Sequence, residues 1–130
     1  DWDHKLKHYR VDKMMHIYIE EAARDGKDDF KSFDMAEYSK ATFGMYQGKK
    51  TRVSIEFANY MCGVFIDRFG KDIVFYKVDD EHSGLNVEVN VSTQFFGWVF
   101  SLGSEVKVTG PEEVVMQLRD AASEFVKKYE

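Results

Sequence analysis

The sequence predicts an α+β fold of the ferredoxin-like type for residues 51–130, in the order β-α-β-β-α-β with one added C-terminal helix. Three observations carry this prediction. Two segments alternate apolar and polar residues, as strands with one solvated face do. Other segments repeat apolar residues at helical spacing, and glycines or short polar turns separate them. Two β-α-β units of this length are most simply arranged as a four-stranded antiparallel sheet with both helices on one face.

The first β-α-β unit follows directly from these patterns. Residues 52–57 alternate and predict a strand. The next helix, over residues 60–69, places four apolar side chains on one face, namely Cys62, Phe65, Ile66 and Phe69. Gly70 suits the left-handed conformation that often ends a helix. Residues 72–78 predict the second strand.

The second unit begins after a polar turn at residues 79–84. Residues 85–91 alternate between Leu or Val and polar residues, which predicts the third strand. Ser92 can cap the next helix, whose buried stripe consists of Phe95, Trp98, Val99 and Leu102. Residues 105–109 predict the fourth strand, and Pro111 suits the first turn of the closing helix. That helix carries its apolar residues on one side, namely Val115, Leu118, Ala122, Phe125 and Tyr129.

Two groups of side chains are expected outside this core. Polar residues at alternate positions of three strands indicate a solvated second sheet face, namely Arg52, Ser54, Glu56, Asn86, Glu88, Asn90 and Lys107. Conversely, residues 73–76 are apolar on both faces of the predicted strand. Phe96 and Phe100 make the second helix apolar around most of its circumference. Either the closing helix or the N-terminal segment covers these side chains, or they form a subunit interface. Phe96 and Phe100 are therefore the candidate dimer-interface residues.

The N-terminal part of the chain predicts a short strand and a connector. Residues 5–11 alternate, but so short a strand is not stable alone. Either it pairs with another chain, or residues 1–16 are the last strand of a domain that begins upstream, and we expect the second arrangement. Residues 17–50 form the expected connector, with a charged, solvated part followed by a helix. Asp34 can act as the N-cap of that helix, and Glu37 can complete a capping box.

Charge and composition exclude several classes of function. Residues 1–50 contain ten Lys and Arg against ten Asp and Glu, whereas residues 51–130 contain eight against thirteen and carry the whole net charge of −5. Because duplex DNA binding depends on clustered cations, the C-terminal part is not expected to bind duplex DNA. The single cysteine, Cys62, fits a reduced, cytoplasmic setting. No stretch approaches the roughly 18 apolar residues that a membrane span needs.

Catalytic and metal-binding arrangements are not recognisable, so we expect neither an enzyme nor a cofactor. His4 and His8 would stand roughly 13 Å apart on one strand, too far to share a metal ion. Cys62 lacks a general base in its own domain, because His82 lies in a loop. The acidic residues 79–81 fit a hydrated turn, and the glycines match neither the dinucleotide fingerprint nor the phosphate-loop pattern.

A basic segment near the N-terminus is the remaining candidate binding site. His8, Arg10 and Lys13, with Tyr9 beside them, are compatible with contacts to phosphates or to unpaired bases. An ordinary basic edge strand is the alternative interpretation. His8, Arg10 and Lys13 are therefore the candidate ligand or nucleic-acid contacts.

Several motifs resemble, in order and spacing, a family of bacterial transcriptional regulators. Residues 8–14, with the run Tyr-Arg-Val-Asp-Lys, resemble the segment that closes a WYL domain, an Sm-like β-barrel. The resemblance continues through residues 33–46, 65–70, 96–103 and 106–112, which look like the connector and the C-terminal extension of that family. The family's extension is a ferredoxin-like domain, which agrees with the periodicity.

The resemblance implies that this chain is the sensory and dimerisation portion of such a regulator. DNA would be bound by an N-terminal helix-turn-helix, and a nucleotide or single-stranded nucleic acid by the WYL domain. The extension would help to form a homodimer. Of the family's basic pocket residues, only Arg10 and Lys13 carry over, with Lys13 replacing the usual Arg. The Trp-Tyr-Leu signature, most of the barrel and the helix-turn-helix are not in this chain.

The alternative is a stand-alone regulatory domain of ferredoxin-like fold that binds a small molecule. Related ferredoxin-like domains bind amino acids at subunit edges.

Overall fold

The computed structural model describes residues 9–25, 28, 31, 33–43 and 48–130. His8, one of the predicted ligand contacts, lies outside this described part. The side chain of Glu37, which was predicted to complete a capping box, also lies outside it. The chain divides into two compact units, Asp1–Asp34 and Met35–Glu130.

The described part of the first unit contains a turn where a strand was expected. Tyr9 and Arg10 form no regular element, and Val11–Lys13 forms one turn of 3-10 helix. The Met14 amide closes this turn by donating to the Val11 carbonyl at 3.1 Å. Residues 5–8 lie outside the described part, so the strand over residues 5–11 stays a prediction.

The second unit contains four helices and four strands among its described residues, with a 3-10 turn at Asn59–Met61. In chain order they are α1 (Met35–Ala41), β1 (Lys49–Ala58), α2 (Cys62–Phe69), β2 (Phe75–Lys77), β3 (His82–Val91), α3 (Thr93–Ser101), β4 (Val106–Gly110) and α4 (Glu112–Lys127).

The strands form one antiparallel sheet in the order β2-β3-β1-β4. β1 and β3 pair along their whole length, with Val53 opposite Val87 and Ile55 opposite Leu85. On its other side β1 pairs with β4, where Ile55 lies opposite Val108. This order, with helices between the strands and a closing helix, is the ferredoxin-like topology. The predicted fold class is therefore confirmed.

The core lies between one face of the sheet and the helices. Its largest fully buried side chains alternate along β1 and β3 or lie on α2 and α3, namely Phe57, Phe65, Phe95, Ile55, Leu85, Val53 and Val89. The Phe57 and Phe65 rings stack with centroids 4.1 Å apart. Trp98 meets Phe65 edge-on at 5.8 Å. Aromatic pairs of this kind contribute roughly 0.5–1.5 kcal/mol beyond the area they bury.

β2 is shorter than the sequence predicts, and this leaves part of β3 without a β2 neighbour. The pairing runs only from Phe75 opposite Leu85 to Lys77 opposite Ser83. Val74 is 79% exposed and lies outside the strand. A segment that is apolar on both faces needs cover on both, and at the sheet edge Val74 has none. The β3 edge beyond Leu85 is thus open to another part of the chain.

The second face of the sheet is polar and largely exposed, as predicted. Arg52 lies opposite Glu88 and Ser54 opposite Asn86 across β1 and β3. The Ser54 hydroxyl donates to Asn86 Oδ1 at 2.6 Å. Lys50 Nζ lies 3.3 Å from the Glu88 carboxylate. Cross-strand polar pairs of this type add small stabilising contributions to the sheet.

Replacing Gly48 by Ala is expected to lower the free energy of unfolding by roughly 1–3 kcal/mol, the usual cost of overpacking. A Cβ at Gly48 would overlap the Val91 carbonyl group, where the chain enters β1. The matched control is Gly63→Ala on α2, where a Cβ meets nothing within 4 Å. There Ala should leave stability unchanged or raise it by up to about 1 kcal/mol. Urea denaturation measures both, and equal behaviour of the two variants would contradict the close approach.

Candidate functional site

Arg68, in the last turn of α2, holds the segment that leads from α1 towards β1. Its Nη1 donates to the Lys40 carbonyl at 3.0 Å, and its Nη2 donates to the Thr42 carbonyl at 2.8 Å. The guanidinium carbon lies 4.0 Å from the centroid of the Phe43 ring and 5.2 Å from that of Phe69. One planar cation therefore contacts two carbonyl oxygens and two aromatic faces. We call this arrangement the Arg68 clamp.

Helix chemistry explains why a cation is suited to this place. The last carbonyl groups of a helix have no partner within the helix and carry its partial negative charge. Arg68 supplies donors to them at the end of α1. Partial burial of the Arg68 side chain lowers the pKa of its guanidinium through desolvation. An arginine stays charged under such a shift, so the clamp keeps its cation.

The clamped segment is part of the core. Thr42 is buried, and its hydroxyl oxygen accepts a hydrogen bond from Asn90 Nδ2 at 3.1 Å. Phe43 is buried with its ring centroid 5.3 Å from that of Phe95 and 5.3 Å from that of Trp98. Asn90 lies on the part of β3 that β2 leaves unpaired. The connector thus covers that edge from the side.

A cleft of about 230 Å³ lies beside the clamp. It is lined by residues from the ends of α1 and α2, from β1, from the α2–β2 loop and from β3, namely Lys40, Ala41, Lys50, Phe69, Asp72, Ile73, Val87 and Glu88. Four of these side chains are apolar and four are charged, with two of each sign. The Lys50 ammonium lies 3.3 Å from the Glu88 carboxylate. The cleft thus combines an apolar lining with both signs of charge.

The predicted basic segment has an internal counter-ion. Arg10 Nε and Nη2 donate to the two carboxylate oxygens of Asp12 at 3.0 and 2.6 Å, and Lys13 Nζ lies 3.9 Å from the same carboxylate. All three side chains are exposed. A phosphate would have to compete with Asp12 for the Nε and Nη2 donors of Arg10. The assignment of His8, Arg10 and Lys13 to ligand binding stays a prediction, and His8 lies outside the described residues.

The two candidate interface residues differ in their surroundings. Phe96 is 8% exposed and belongs to the core of its own chain, whereas Phe100 is 46% exposed. The end of α4 and the turn that follows it add further exposed apolar side chains, because Phe125 is 60% and Tyr129 is 83% exposed. Their rings lie 6.2 Å apart and Val126 is exposed beside them. We call Phe125, Val126 and Tyr129 the α4 apolar surface.

The acidic residues of the β2–β3 turn have structural partners. Asp79 Oδ1 accepts hydrogen bonds from the Glu81 and His82 amides and lies 2.8 Å from His82 Nδ1. The backbone bond from Glu81 and the bond with His82 lower the pKa of Asp79. The bond with Asp79 raises the pKa of His82. This carboxylate orders the turn, which agrees with the interpretation of the acidic run as a turn.

Within the part of the chain that the structure describes, no cluster of three or more His, Cys, Asp or Glu side chains is arranged to hold a metal ion. None of its helices combines the length and the apolar character that a membrane crossing requires.

The clamp and the cleft are features that the sequence did not reveal. Arg68 stands next to Asp67 on a helix with a clear apolar stripe, and by itself it resembles a solvated surface residue. One signal was available: residues 40–43 carry Thr42 and Phe43 directly after a helical segment, where a solvated connector would not need a large aromatic side chain. The partners in space could not be inferred from that signal alone.

A family model described as the WCX domain matches residues 49–126. No curated protein matches the chain significantly.

Arg68→Lys should lower the free energy of unfolding by about 1–3 kcal/mol, because a point ammonium cannot reproduce both carbonyl bonds and the aromatic contact. The matched control is Arg119→Lys on α4, where the arginine is exposed. That change should stay within about 0.5 kcal/mol. Urea denaturation of both variants measures the difference. An Arg68→Lys variant as stable as the control would contradict the clamp.

The His82–Asp79 pair should show a specific pH dependence. His82 has a raised pKa, so the stability it adds is present below the ordinary histidine value of 6.5 and is lost as pH rises through the folded value. Asp79 has a lowered pKa, so its contribution is present above 3.8 and is lost as pH falls through the folded value. An NMR titration should place the His82 pKa above 6.5. Asp79→Asn should return the His82 pKa towards that ordinary value, and an unchanged His82 titration would be evidence against the bond.

Proposed function

Because the chain belongs to the WCX domain family, the regulatory C-terminal domain of WYL-type regulators, we propose that it is the dimerising and sensory portion of a bacterial transcriptional regulator. In this proposal the chain performs no catalysis. DNA is bound by another part of the regulator, and a nucleotide or single-stranded nucleic acid acts as effector at the WYL domain.

The α4 apolar surface is the observation that carries the dimer proposal. Phe125 near the end of α4 and Tyr129 in the turn after it are 60% and 83% exposed, and their ring centroids lie 6.2 Å apart. Exposed aromatic groups in this arrangement usually mark a protein interface. Phe100 on α3 adds a further exposed ring.

The charges around this surface suit a second copy of the same chain. A twofold interface brings a patch against itself, so a patch of one sign would repel its copy. Residues 119–130 contain three basic and three acidic residues, which balance. Two of them already pair along the helix, since Lys127 Nζ lies 2.7 Å from the Glu124 carboxylate. We therefore place the dimer contact on α4.

The net charge supports the assignment of DNA binding to another domain of such a regulator. Residues 51–130 carry eight basic and thirteen acidic side chains, which is unfavourable for contacts to a phosphate backbone. In the first unit, Asp12 accepts hydrogen bonds from the Nε and Nη2 donors of Arg10. DNA contact is thus better assigned to a separate domain than to this chain.

A second candidate function rests on the cleft beside the Arg68 clamp. Small-molecule sites are concave and combine apolar walls with a few polar groups. The cleft of about 230 Å³ has both. A regulatory domain that binds a small molecule itself is therefore the alternative to sensing by the WYL domain.

Sedimentation equilibrium should show a dimer for the wild-type chain. The double variant Phe125→Ser/Tyr129→Ser should weaken the dimer by tenfold or more, because central aromatic residues of an interface contribute at least about 2 kcal/mol each. The matched control is Tyr60→Ser, which removes an exposed aromatic ring from the 3-10 turn before α2. It should leave the dimer unchanged. A wild-type chain that stays monomeric at high concentration, or a double variant that dimerises like the wild type, would refute the proposal.

A further inference from the structure

The size of the cleft restricts its ligand. Its volume of about 230 Å³ corresponds to roughly seven or eight water molecules at about 30 Å³ each. Sites for drug-sized ligands occupy roughly 300–1,000 Å³. A nucleotide, with a base, a sugar and a phosphate, does not fit into this space. The cleft instead suits a molecule of about ten non-hydrogen atoms or fewer.

The charges of the cleft suit a ligand that carries both signs. Lys50 is engaged with Glu88 at 3.3 Å. Lys40 and Asp72 also line the cleft, and within residues 35–43 and 48–130 neither side chain has an ion-pair partner. One cation and one anion are therefore available on the wall. A ligand with a carboxylate and an ammonium group can pair with both, whereas a simple anion would leave Asp72 opposing it.

The remaining lining is apolar. Phe69 and Val87 are buried in the core, and Ala41 and Ile73 complete the apolar wall. A ligand with an aliphatic side chain of three or four carbons would bury these carbons against the apolar wall. The free energy of transferring them out of water corresponds to about tenfold in affinity for every two methylene groups. Polar side chains of a ligand would find no further partners on this wall.

The position of the cleft links its ligand to the connector. Lys40 and Ala41 belong to α1, whereas the other lining residues belong to the sheet, to α2 and to the loop after α2. Arg68 bonds the Lys40 carbonyl at the same place. A bound ligand would contact both sides and would oppose any detachment of the connector. Ligand binding and connector docking would therefore stabilise each other.

We propose that the cleft between α1 and the α2–β2 loop binds an α-amino acid with a small apolar side chain, and that this ligand holds the connector on the domain. Lys40 pairs with the carboxylate and Asp72 with the ammonium group. The apolar wall receives the side chain. This inference rests on the second candidate function, binding of a small molecule in the cleft, and the site is separate from the α4 apolar surface.

The test uses the whole 130-residue chain with L-leucine as the probe, in isothermal titration calorimetry and thermal-shift assays. Leucine should give saturable binding and a rise in Tm. Leucine methyl ester lacks the carboxylate, and 4-methylpentanoate lacks the ammonium group. Each should bind at least about tenfold more weakly, since a hydrogen bond to a charged group contributes at least about that factor. Glycine, which lacks the side chain, should also bind more weakly.

Two variants with matched controls assign the contacts. Lys40→Gln and Asp72→Asn should each weaken leucine binding by about tenfold or more. The controls are Lys71→Gln and Asp67→Asn, which remove the same charges from exposed neighbouring positions outside the cleft lining. Both controls should bind leucine like the wild type. The Tm without ligand shows whether each variant folds. If one cleft variant does not fold, the other variant and the ligand analogues still test the predicted contacts to leucine.

Hydrogen exchange tests the link to the connector. The Thr42 amide donates to the Tyr38 carbonyl at 3.0 Å, so its exchange reports on the end of α1. Leucine should slow this exchange in the wild type, and not in Lys40→Gln. Two results would overturn the proposal. One is a wild-type chain that binds no leucine in the millimolar range. The other is that the Lys40→Gln and Asp72→Asn variants bind leucine as tightly as the wild type. Sedimentation of the same samples keeps this result apart from the dimer: a dimer without leucine binding refutes only the cleft, and a monomer with leucine binding refutes only the α4 interface.

Discussion

The Arg68 clamp is the interaction on which the rest of the second unit depends. β2 covers only three residues and leaves the end of β3 open, and the chain fills this place with its own connector. Arg68 makes that possible because it satisfies two carbonyl oxygens that the short helix α1 cannot satisfy itself. Phe43 then enters the core between Phe95 and Trp98. Without the clamp, the cleft beside Lys40 would lose one of its walls.

This arrangement changes where the regulatory domain begins. The WCX family model starts at residue 49, whereas the compact unit starts at Met35. A flexible linker would leave a preceding domain free to move. A connector whose Thr42 and Phe43 are buried with the core belongs to the domain itself. In the proposed regulator, a change at the cleft would reach the preceding segment through α1, and the α4 apolar surface would serve assembly.

The sequence predicted the sheet better than its surroundings. Alternation along Val53, Ile55 and Phe57 identified β1, because strand periodicity records directly which side chains are buried. The sequence overestimated the length of β2, because the apolar residues 73–76 do not show whether other parts of the chain cover both faces of the strand. The clamp escaped prediction for a different reason. Arg68 bonds residues 28 and 26 positions away, and a single polar contact over such a distance leaves no periodic signal.

The candidate site was predictable only in part. The exposed aromatic ring of Phe100 followed from helix periodicity, whereas Phe96 is buried in its own core. The cleft combines residues from four separate segments, so its charges become visible only in three dimensions. The central claim is that the connector belongs to the domain, and a comparison of two truncated chains tests it most directly. Residues 35–130 should unfold cooperatively in urea, whereas residues 49–130 should lose at least about 3 kcal/mol, the usual cost of removing a buried phenylalanine. Equal stability of the two chains would contradict the account.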